Sequence, residues 1–139
     1  HDSGFAVLLN RTGRTNVNLF GYADGGINVT FNDLGGVNPD VHLYQDVVGP
    51  QNPLVGLWGS DGRNVDPDTV VDTDARTADL TSFNTGDANG DWTLFVADVS
   101  GGGGHVLESW SMEITGQVPE PGTLSLLLLG AGLLARRKR

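Results

Sequence analysis

Short stretches in which hydrophobic and polar residues alternate run along the chain and predict β-strands. The clearest is at residues 27–31, where Ile27, Val29 and Phe31 fall on one face and Asn28 and Thr30 on the other. Asp-, Asn- and Gly-rich turns separate these stretches. The pattern therefore predicts short strands joined by many turns. Further strands are predicted at residues 5–9 and 17–20, and a possible short one at 41–44.

The strongest pattern begins at Asn89 and predicts a core hairpin. Trp92, Leu94 and Val96 share one face of its first strand, and the opposite face is also largely apolar. Such a strand suits the centre of a sandwich that is covered on both sides. After four consecutive glycines, a second strand ending at Thr115 alternates between apolar and polar residues, which is typical of an antiparallel strand with one wet face.

Residues 50–79 show no comparable regularity. Proline and glycine punctuate this stretch too densely for a helix or a central strand. Long loops of this kind are usually functional or wrap the core as ordered coil. We predict that Trp58, within the loop, is a packing residue and not a ligand platform.

Length, charge and cysteine content limit the classes of function that this protein could have. A sequence of 139 residues forms at most one domain, and residues 1–118 contain four Arg and no Lys against sixteen Asp and Glu. Such an acidic domain does not attract a phosphate backbone, so we expect no nucleic-acid partner. Cysteine is absent, which excludes disulfides and thiolate metal sites. The first residue is His1, and we expect the sequence to be a fragment of a longer exported protein.

The hairpin region resembles the end of the P/Homo B domain, the β-sandwich beside the catalytic domain of proprotein convertases and other subtilases. The resemblance implies an all-β fold, a jelly-roll-like antiparallel β-sandwich of the P-domain type over residues 1–116, with its N-terminal strand or strands missing. It also implies a strand at residues 78–83 and an association with serine-type endopeptidases. The residues that carry the resemblance are Gly90, Trp92, Leu94, Val96, Asp98, Leu107, Trp110 and Ile114.

No catalytic residue is predicted. A serine protease site needs a Ser nucleophile, a His base and an orienting Asp. No serine of this sequence lies in the Gly-Thr-Ser signature of subtilases or in a Gly-x-Ser-x-Gly elbow. The sequence is also too short to hold a subtilase domain beside the sandwich. We therefore expect that the protein is not an enzyme.

Clustered carboxylates in the turns raise the possibility of Ca²⁺, which prefers oxygen ligands. The triplet at Asp87, Asn89 and Asp91 imitates the start of an EF-hand, but Trp92 stands where that loop needs Gly. The alternative is that Asp and Asn form these turns by bonding their own backbone. His42 and His105 lack metal-ligand spacing, and we expect them to be solvated or packing residues. The candidate calcium ligands are Asp61, Asp66, Asp68, Asp87, Asn89 and Asp91.

The last 23 residues differ from everything before them and form a separate segment, 117–139. A Pro-Glu-Pro motif is followed by a short apolar stretch at 123–135, which predicts a hydrophobic helix, and then by a basic end. The twelve residues from Leu124 to Ala135 make a helix of roughly 18 Å, whereas a bilayer core is about 30 Å thick. The length suits a sorting signal better than a permanent anchor. The motif consists of Val118, Pro119, Glu120 and Pro121, the apolar stretch includes Leu124, Leu126, Leu127, Leu128, Leu129, Leu133 and Leu134, and the basic stop is Arg136, Arg137, Lys138 and Arg139.

This tail resembles the PEP-CTERM protein-sorting signal. The resemblance implies export, transient insertion in the inner membrane, recognition by an exosortase-type sorting enzyme, and delivery to the cell envelope or extracellular matrix of a Gram-negative bacterium. The alternative is an ordinary tail anchor. The basic cluster should stay cytoplasmic, which places the preceding domain outside the inner membrane.

Three functions remain open on the sequence alone. The leading one is a non-catalytic, exported surface module whose loops bind protein or extracellular polysaccharide. The second is an accessory P domain of a subtilisin-like serine endopeptidase whose catalytic domain lies outside this sequence. The third is a calcium-dependent carbohydrate- or protein-binding module.

Overall fold

The computed structural model describes residues 1, 4–36, 38–84, 86–99, 101 and 104–116. The protein divides into two compact units, His1–Val106 and Leu107–Arg139. The first unit contains all the secondary structure of the described residues.

Two short strands form a parallel sheet in the first unit. Strand β1 spans Ile27–Phe31 and strand β2 spans Leu54–Trp58, with Ile27 opposite Leu54 and Phe31 opposite Trp58. A parallel pair requires a crossover connection, and residues 32–53 provide it. The strand predicted at residues 27–31 is therefore confirmed.

The crossover is built from one α-helix and two 3₁₀ turns. The first 3₁₀ turn is Leu34–Gly36, the second is Val41–Leu43, and helix α1 follows directly at Tyr44–Val48. The Asp40 side chain caps the second turn by accepting a hydrogen bond from the His42 backbone N–H. Helix α1 ends at Gly49, whose φ of 72° favours glycine.

The hydrophobic core lies between the sheet and this crossover. Val41 and Tyr44 are buried against Leu54 and Trp58 of β2. From β1, Val29 and Phe31 pack on the same cluster and Ile27 is exposed, so two of its three apolar residues point inward as predicted. Trp58 is 3% exposed, which confirms its prediction as a packing residue.

The segment after β2 is held by isolated backbone hydrogen bonds. Gly59 bridges to Asp40 in parallel fashion, and Arg63 bridges to Arg76 in antiparallel fashion. The N-terminal segment joins this region because Asp61 N–H donates to the Leu8 carbonyl and Gly62 N–H to the Val7 carbonyl. A third 3₁₀ turn, Leu80–Phe83, is capped by Asp79.

Several predicted strands are not found in the structure. Residues 5–9 and 17–20 are irregular, although Val7 makes strand-like hydrogen bonds. The stretch predicted at 41–44 begins a 3₁₀ turn and α1, and the stretch at 78–83 holds a 3₁₀ turn. In both cases an Asp at the N-terminal end accepts a backbone N–H two residues on, which starts a turn of helix instead of an extended strand.

The loop predicted at residues 50–79 contains β2. Its prolines lie before and after Leu54–Trp58, so none of them removes a ladder donor from within the strand. Gly56 lies inside β2 at a φ of 104°. The sheet of the described residues has two strands, so β2 is an edge strand, and the argument from Pro and Gly excluded a helix and a central strand but not an edge strand.

The predicted core hairpin is not formed by the described residues of 89–115. Residues 89–99, which belong to the first unit, contain no strand, and no backbone–backbone hydrogen bond joins them to another residue that the structure describes. Phe95 is 84% exposed and Val96 is 60% exposed. In the second unit, the described residues 107–116 are all exposed and contain neither helix nor strand. The alternation of apolar and polar residues does not by itself form a strand where no partner strand is present. The β-sandwich stays a prediction.

Candidate functional site

Five polar residues form a buried group that we name the polar cluster: Asn10, Arg14, His42, Asp61 and Arg63. All of them are at most 9% exposed, and both His42 and Asp61 are fully buried. Polar groups are buried at low cost only when their hydrogen bonds are satisfied. Most polar atoms of the cluster have partners, but Asn10 Oδ1, Arg14 Nε and Arg63 Nε are buried without a hydrogen bond among the described residues.

His42 lies between two acceptors. Its Nδ1 is 2.8 Å from the Asp61 carboxylate, and its Nε2 is 2.9 Å from the Arg14 carbonyl oxygen. A nitrogen facing an acceptor satisfies it by carrying a proton, so this arrangement favours the imidazolium form. Burial alone lowers the pKa of His42, but the hydrogen bonds to Asp61 and Arg14 outweigh it and raise this pKa above 6.5.

Asp61 connects His42 to an arginine. Its carboxylate accepts the Asn10 backbone N–H at 3.0 Å and the Arg63 guanidinium at 3.1 Å. The same guanidinium reaches Asp40 at 2.8 Å. With His42 protonated, the charges of His42 and Arg63 balance those of Asp61 and Asp40, whereas the Arg14 guanidinium donates to carbonyl groups. Removing one member of a buried ion pair is costly because it leaves its partner's charge uncompensated.

A second carboxylate joins the end of β2 to the third 3₁₀ turn. Asp33 accepts the Ser60 backbone N–H at 2.9 Å and the Leu80 N–H at 2.9 Å, and it also accepts the Ser60 hydroxyl. The Arg76 guanidinium lies 3.6 Å from the Asp33 carboxylate. Asp33 therefore fixes three segments that are far apart in sequence.

All four arginines of residues 1–118 donate to a single segment, residues 60–76, which we name the arginine-held loop. Arg14 donates to the Val70 and Asp68 carbonyls, and Arg76 to the Ser60 and Asp61 carbonyls. Arg63 reaches the Asp72 carbonyl, and Arg11 pairs with the Asp68 carboxylate at 2.6 Å. Guanidinium groups thus supply positive charge in this acidic loop.

The geometry of His42 does not suit a catalytic base. A general base needs a free nitrogen lone pair within reach of a nucleophile. Both His42 ring nitrogens face acceptors inside the polar cluster, and the Ser60 hydroxyl donates to Asp33. Ser60 and Asp61 lie in the arginine-held loop and His42 contacts Asp61, and the hydrogen bonds of these three residues join separate segments of the protein.

The six candidate calcium ligands have other partners or lie apart. Asp61 is buried with His42 and Arg63, and Asp68 pairs with Arg11. The carboxylates of Asp66 and Asp87 accept backbone N–H groups two residues on, which is the turn-forming alternative. Among the residues that the structure describes, no three His, Cys, Asp or Glu side chains are grouped as a metal site.

The residues that carry the P/Homo B resemblance are mostly exposed. Trp92 stacks on His1 with ring centroids 4.2 Å apart and also contacts Phe83. Asp98 lies 3.0 Å from His105 Nδ1 at the surface. Trp110 and the other two residues of this set in the second unit, Leu107 and Ile114, are about half exposed. The residues that sequence reasoning missed are Asn10, Arg14, Asp33 and Arg63. No local pattern marks them, because most of their partners lie far away in sequence.

The predicted sorting residues, Val118–Arg139, lie outside the described residues. None of the helices that the structure describes is long and apolar enough to span a bilayer. The predicted hydrophobic helix at 123–135 lies outside the described residues, so this finding does not test it.

Comparison with known proteins gives one match. The family model of the PEP-CTERM protein-sorting motif matches residues 117–139. No curated protein and no solved structure matches the sequence. These comparisons leave the P/Homo B resemblance without support. The protein thus carries a PEP-CTERM motif at residues 117–139, which implies export, recognition by an exosortase and membrane-associated sorting in a Gram-negative bacterium.

Proposed function

We propose that this protein is a non-catalytic, exported module that an exosortase releases from the inner membrane by cutting near Pro119, Glu120 and Pro121. The single observation that carries this proposal is the match of the sorting motif to residues 117–139. The module is then displayed at the cell envelope or in the extracellular matrix. There it binds protein or polysaccharide.

The test follows the fate of the tail. The protein, placed behind a secretion signal, is produced in a Gram-negative host with an exosortase and in a matched host from which that enzyme has been deleted. Intact mass from envelope and medium should show a species ending near residues 119–122 only in the first host. A species that keeps Arg139 in the inner membrane of both hosts would make the tail a plain anchor.

A motif variant provides the matched control. Replacing Pro119, Glu120 and Pro121 by alanine leaves the apolar stretch and the basic end unchanged. We expect this variant to accumulate uncut in the host that has the exosortase. Normal cutting of the variant would show that these three residues are not what the enzyme recognises.

The non-catalytic part of the proposal is supported by the polar cluster. His42 has no nitrogen available as a base, and Ser60 is fully buried with its hydroxyl bonded to Asp33. Incubation with a fluorophosphonate probe, which reacts with activated serines, should leave the protein unlabelled. Labelling that is lost in Ser60→Ala would contradict this proposal.

From the sequence resemblance, we further propose that the module is P-domain-like and that residues 90–98 and 104–114 pair as strands. Exposed apolar side chains along both segments support it, since large apolar patches are normally covered. Hydrogen exchange of the amides at 92–97 and 107–114 tests it. Protection would support the sandwich, and exchange as fast as in a free peptide would reject it.

Two narrower functions depend on that fold. An accessory domain of a subtilisin-like serine endopeptidase should bind and stabilise a subtilase catalytic domain, measured as a raised melting temperature of that domain. A calcium-dependent binding module should melt at a higher temperature with Ca²⁺ than with a chelator. Asp87, Asn89 and Asp91 are the ligands to replace in that test, because all three are exposed.

A further inference from the structure

The turn that precedes Trp92 contains a reactive pair of residues. Asn89 is followed by Gly90, and no other asparagine of the sequence is followed by glycine. Residues 86–91 are all exposed. Because glycine has no Cβ, the backbone nitrogen that follows Asn89 is open to approach from the Asn89 side chain.

The local hydrogen bonds leave that nitrogen free. The Gly90 N–H makes no hydrogen bond to any residue that the structure describes, and Gly90 has a φ of 118°, which glycine adopts readily. The Asp87 carboxylate, in contrast, accepts both the backbone N–H and the side-chain NH₂ of Asn89, at 2.9 and 2.8 Å. The NH₂ group that would leave as ammonia is therefore held beside a carboxylate at the surface.

We propose that Asn89 is a site of spontaneous deamidation, at which the Gly90 backbone nitrogen attacks Cγ of Asn89. The new bond between these two atoms closes a five-membered succinimide. The Gly90 nitrogen loses its proton, the bond between Cγ and Nδ2 of Asn89 breaks, and ammonia leaves. Water then opens the ring at either carbonyl, which gives aspartate or isoaspartate. The only co-reactant is water, and no atom is oxidised or reduced.

The conversion changes the turn as well as its charge. A carboxylate oxygen replaces the NH₂ group that now donates to Asp87, so an attractive contact becomes a repulsion between like charges. Isoaspartate also adds one carbon atom to the backbone. The contacts next to it are the bond from Trp92 Nε1 to the Ala88 carbonyl, at 3.1 Å, and the contact of His1 Nε2 with the Asn89 carbonyl, at 3.0 Å. Deamidation therefore acts as a one-way change in this turn.

The experiment incubates the full-length protein in ¹⁸O-labelled water at mildly alkaline pH and follows label uptake by peptide mapping. We expect label to enter at Asn89 before any other asparagine. Asn84 is the internal control, because it is exposed in the same region but is followed by threonine. Label appearing at Asn84 as fast as at Asn89 would overturn the proposal.

A parallel sample in denaturant distinguishes the effect of the Asn-Gly sequence on the deamidation rate from the effect of the folded turn. We expect Asn89 to take up label at a similar rate in both samples, because the native turn leaves the Gly90 nitrogen unbonded. Label that enters only in the denatured protein would also overturn the proposal. In Gly90→Ala the added Cβ obstructs the attack, so we expect no label at residue 89. In Asn89→Gln the longer side chain would need a larger ring, so we expect no label there either.

Discussion

The arginine-held loop and residues 86–99 are both rich in Asp, yet they differ in how much of each is buried. The loop contains Asp61, which is fully buried, and it receives hydrogen bonds from four guanidinium groups. Residues 86–99 contain no arginine or lysine, and most of their described side chains are exposed. The comparison teaches that acidic turns become part of a packed structure here where a cation satisfies their carbonyl and carboxylate oxygens.

The largest expected effect comes from removing the central anion of the polar cluster. Asp61→Ala leaves the His42 imidazolium and the Arg63 guanidinium without their shared partner, which should lower the free energy of unfolding by about 3–5 kcal/mol. Urea unfolding measures this loss. Asp46→Ala removes the same charge at an exposed site and should change stability by less than about 1 kcal/mol. Equal losses of unfolding free energy in the two variants would contradict the difference that we infer between buried and exposed acidic residues.

Truncations of apolar residues sharpen the comparison further. Leu54 is 1% exposed in the core, and Leu54→Ala should cost about 2–5 kcal/mol because it removes contacts and leaves a cavity. Val96→Ala should cost less than about 0.5 kcal/mol, since Val96 is 60% exposed. The same urea measurement serves both variants. A loss at Val96 as large as that at Leu54 would mean that the segment is buried in solution, as the proposed sandwich requires.

Raising the pH should weaken the polar cluster. Because the pKa of His42 is raised above 6.5 in the folded protein, folding favours the protonated form. That stability is fully present below pH 6.5 and is lost as the pH rises through the folded-state pKa. The melting temperature should therefore fall between mildly acidic and mildly alkaline pH. His42→Gln is the matched control, and an unchanged fall in this variant would assign the effect to other groups.

The smallest effect is expected at the rim of the arginine-held loop. Arg11 pairs with Asp68, whose side chain is 74% exposed, so water screens the interaction. Arg11→Ala should cost about 0–1 kcal/mol. The double variant with Asp68→Ala isolates the pair energy. A coupling energy as large as the stability loss expected for Asp61→Ala would show that this exposed pair stabilises the loop as much as the buried ion pairs do.

Local features of the fold could be predicted from the sequence more fully than the hydrogen-bond partners of the buried polar residues. Strand β1 is predictable because its alternation is regular, and the burial of Trp58 because large aromatic side chains usually pack inward. The 3₁₀ turn at Val41–Leu43 is missed because Asp40 capping overrides an apolar run. The sorting motif is predicted completely, since three features in fixed order identify it without any tertiary contact.

The polar cluster could not be predicted in the same way. Asn10 and Asp61 are 51 positions apart, and Arg14 lies 56 positions from Val70. Nothing in a local window indicates such pairs. Residue type alone makes Asp61 a reasonable oxygen ligand for calcium. The cations that it contacts in the structure are His42 and Arg63, and only tertiary structure identifies them.

The placement of the arginines has a consequence for proteolysis. Trypsin cuts only after arginine and lysine, and residues 1–118 offer it four sites. Arg14 and Arg63 are buried, and all four side chains are engaged with the arginine-held loop. The remaining sites are the four basic residues from Arg136 to Arg139. Trypsin-like proteases in the surroundings of an exported protein therefore reach Arg14 and Arg63 only after the first unit has opened.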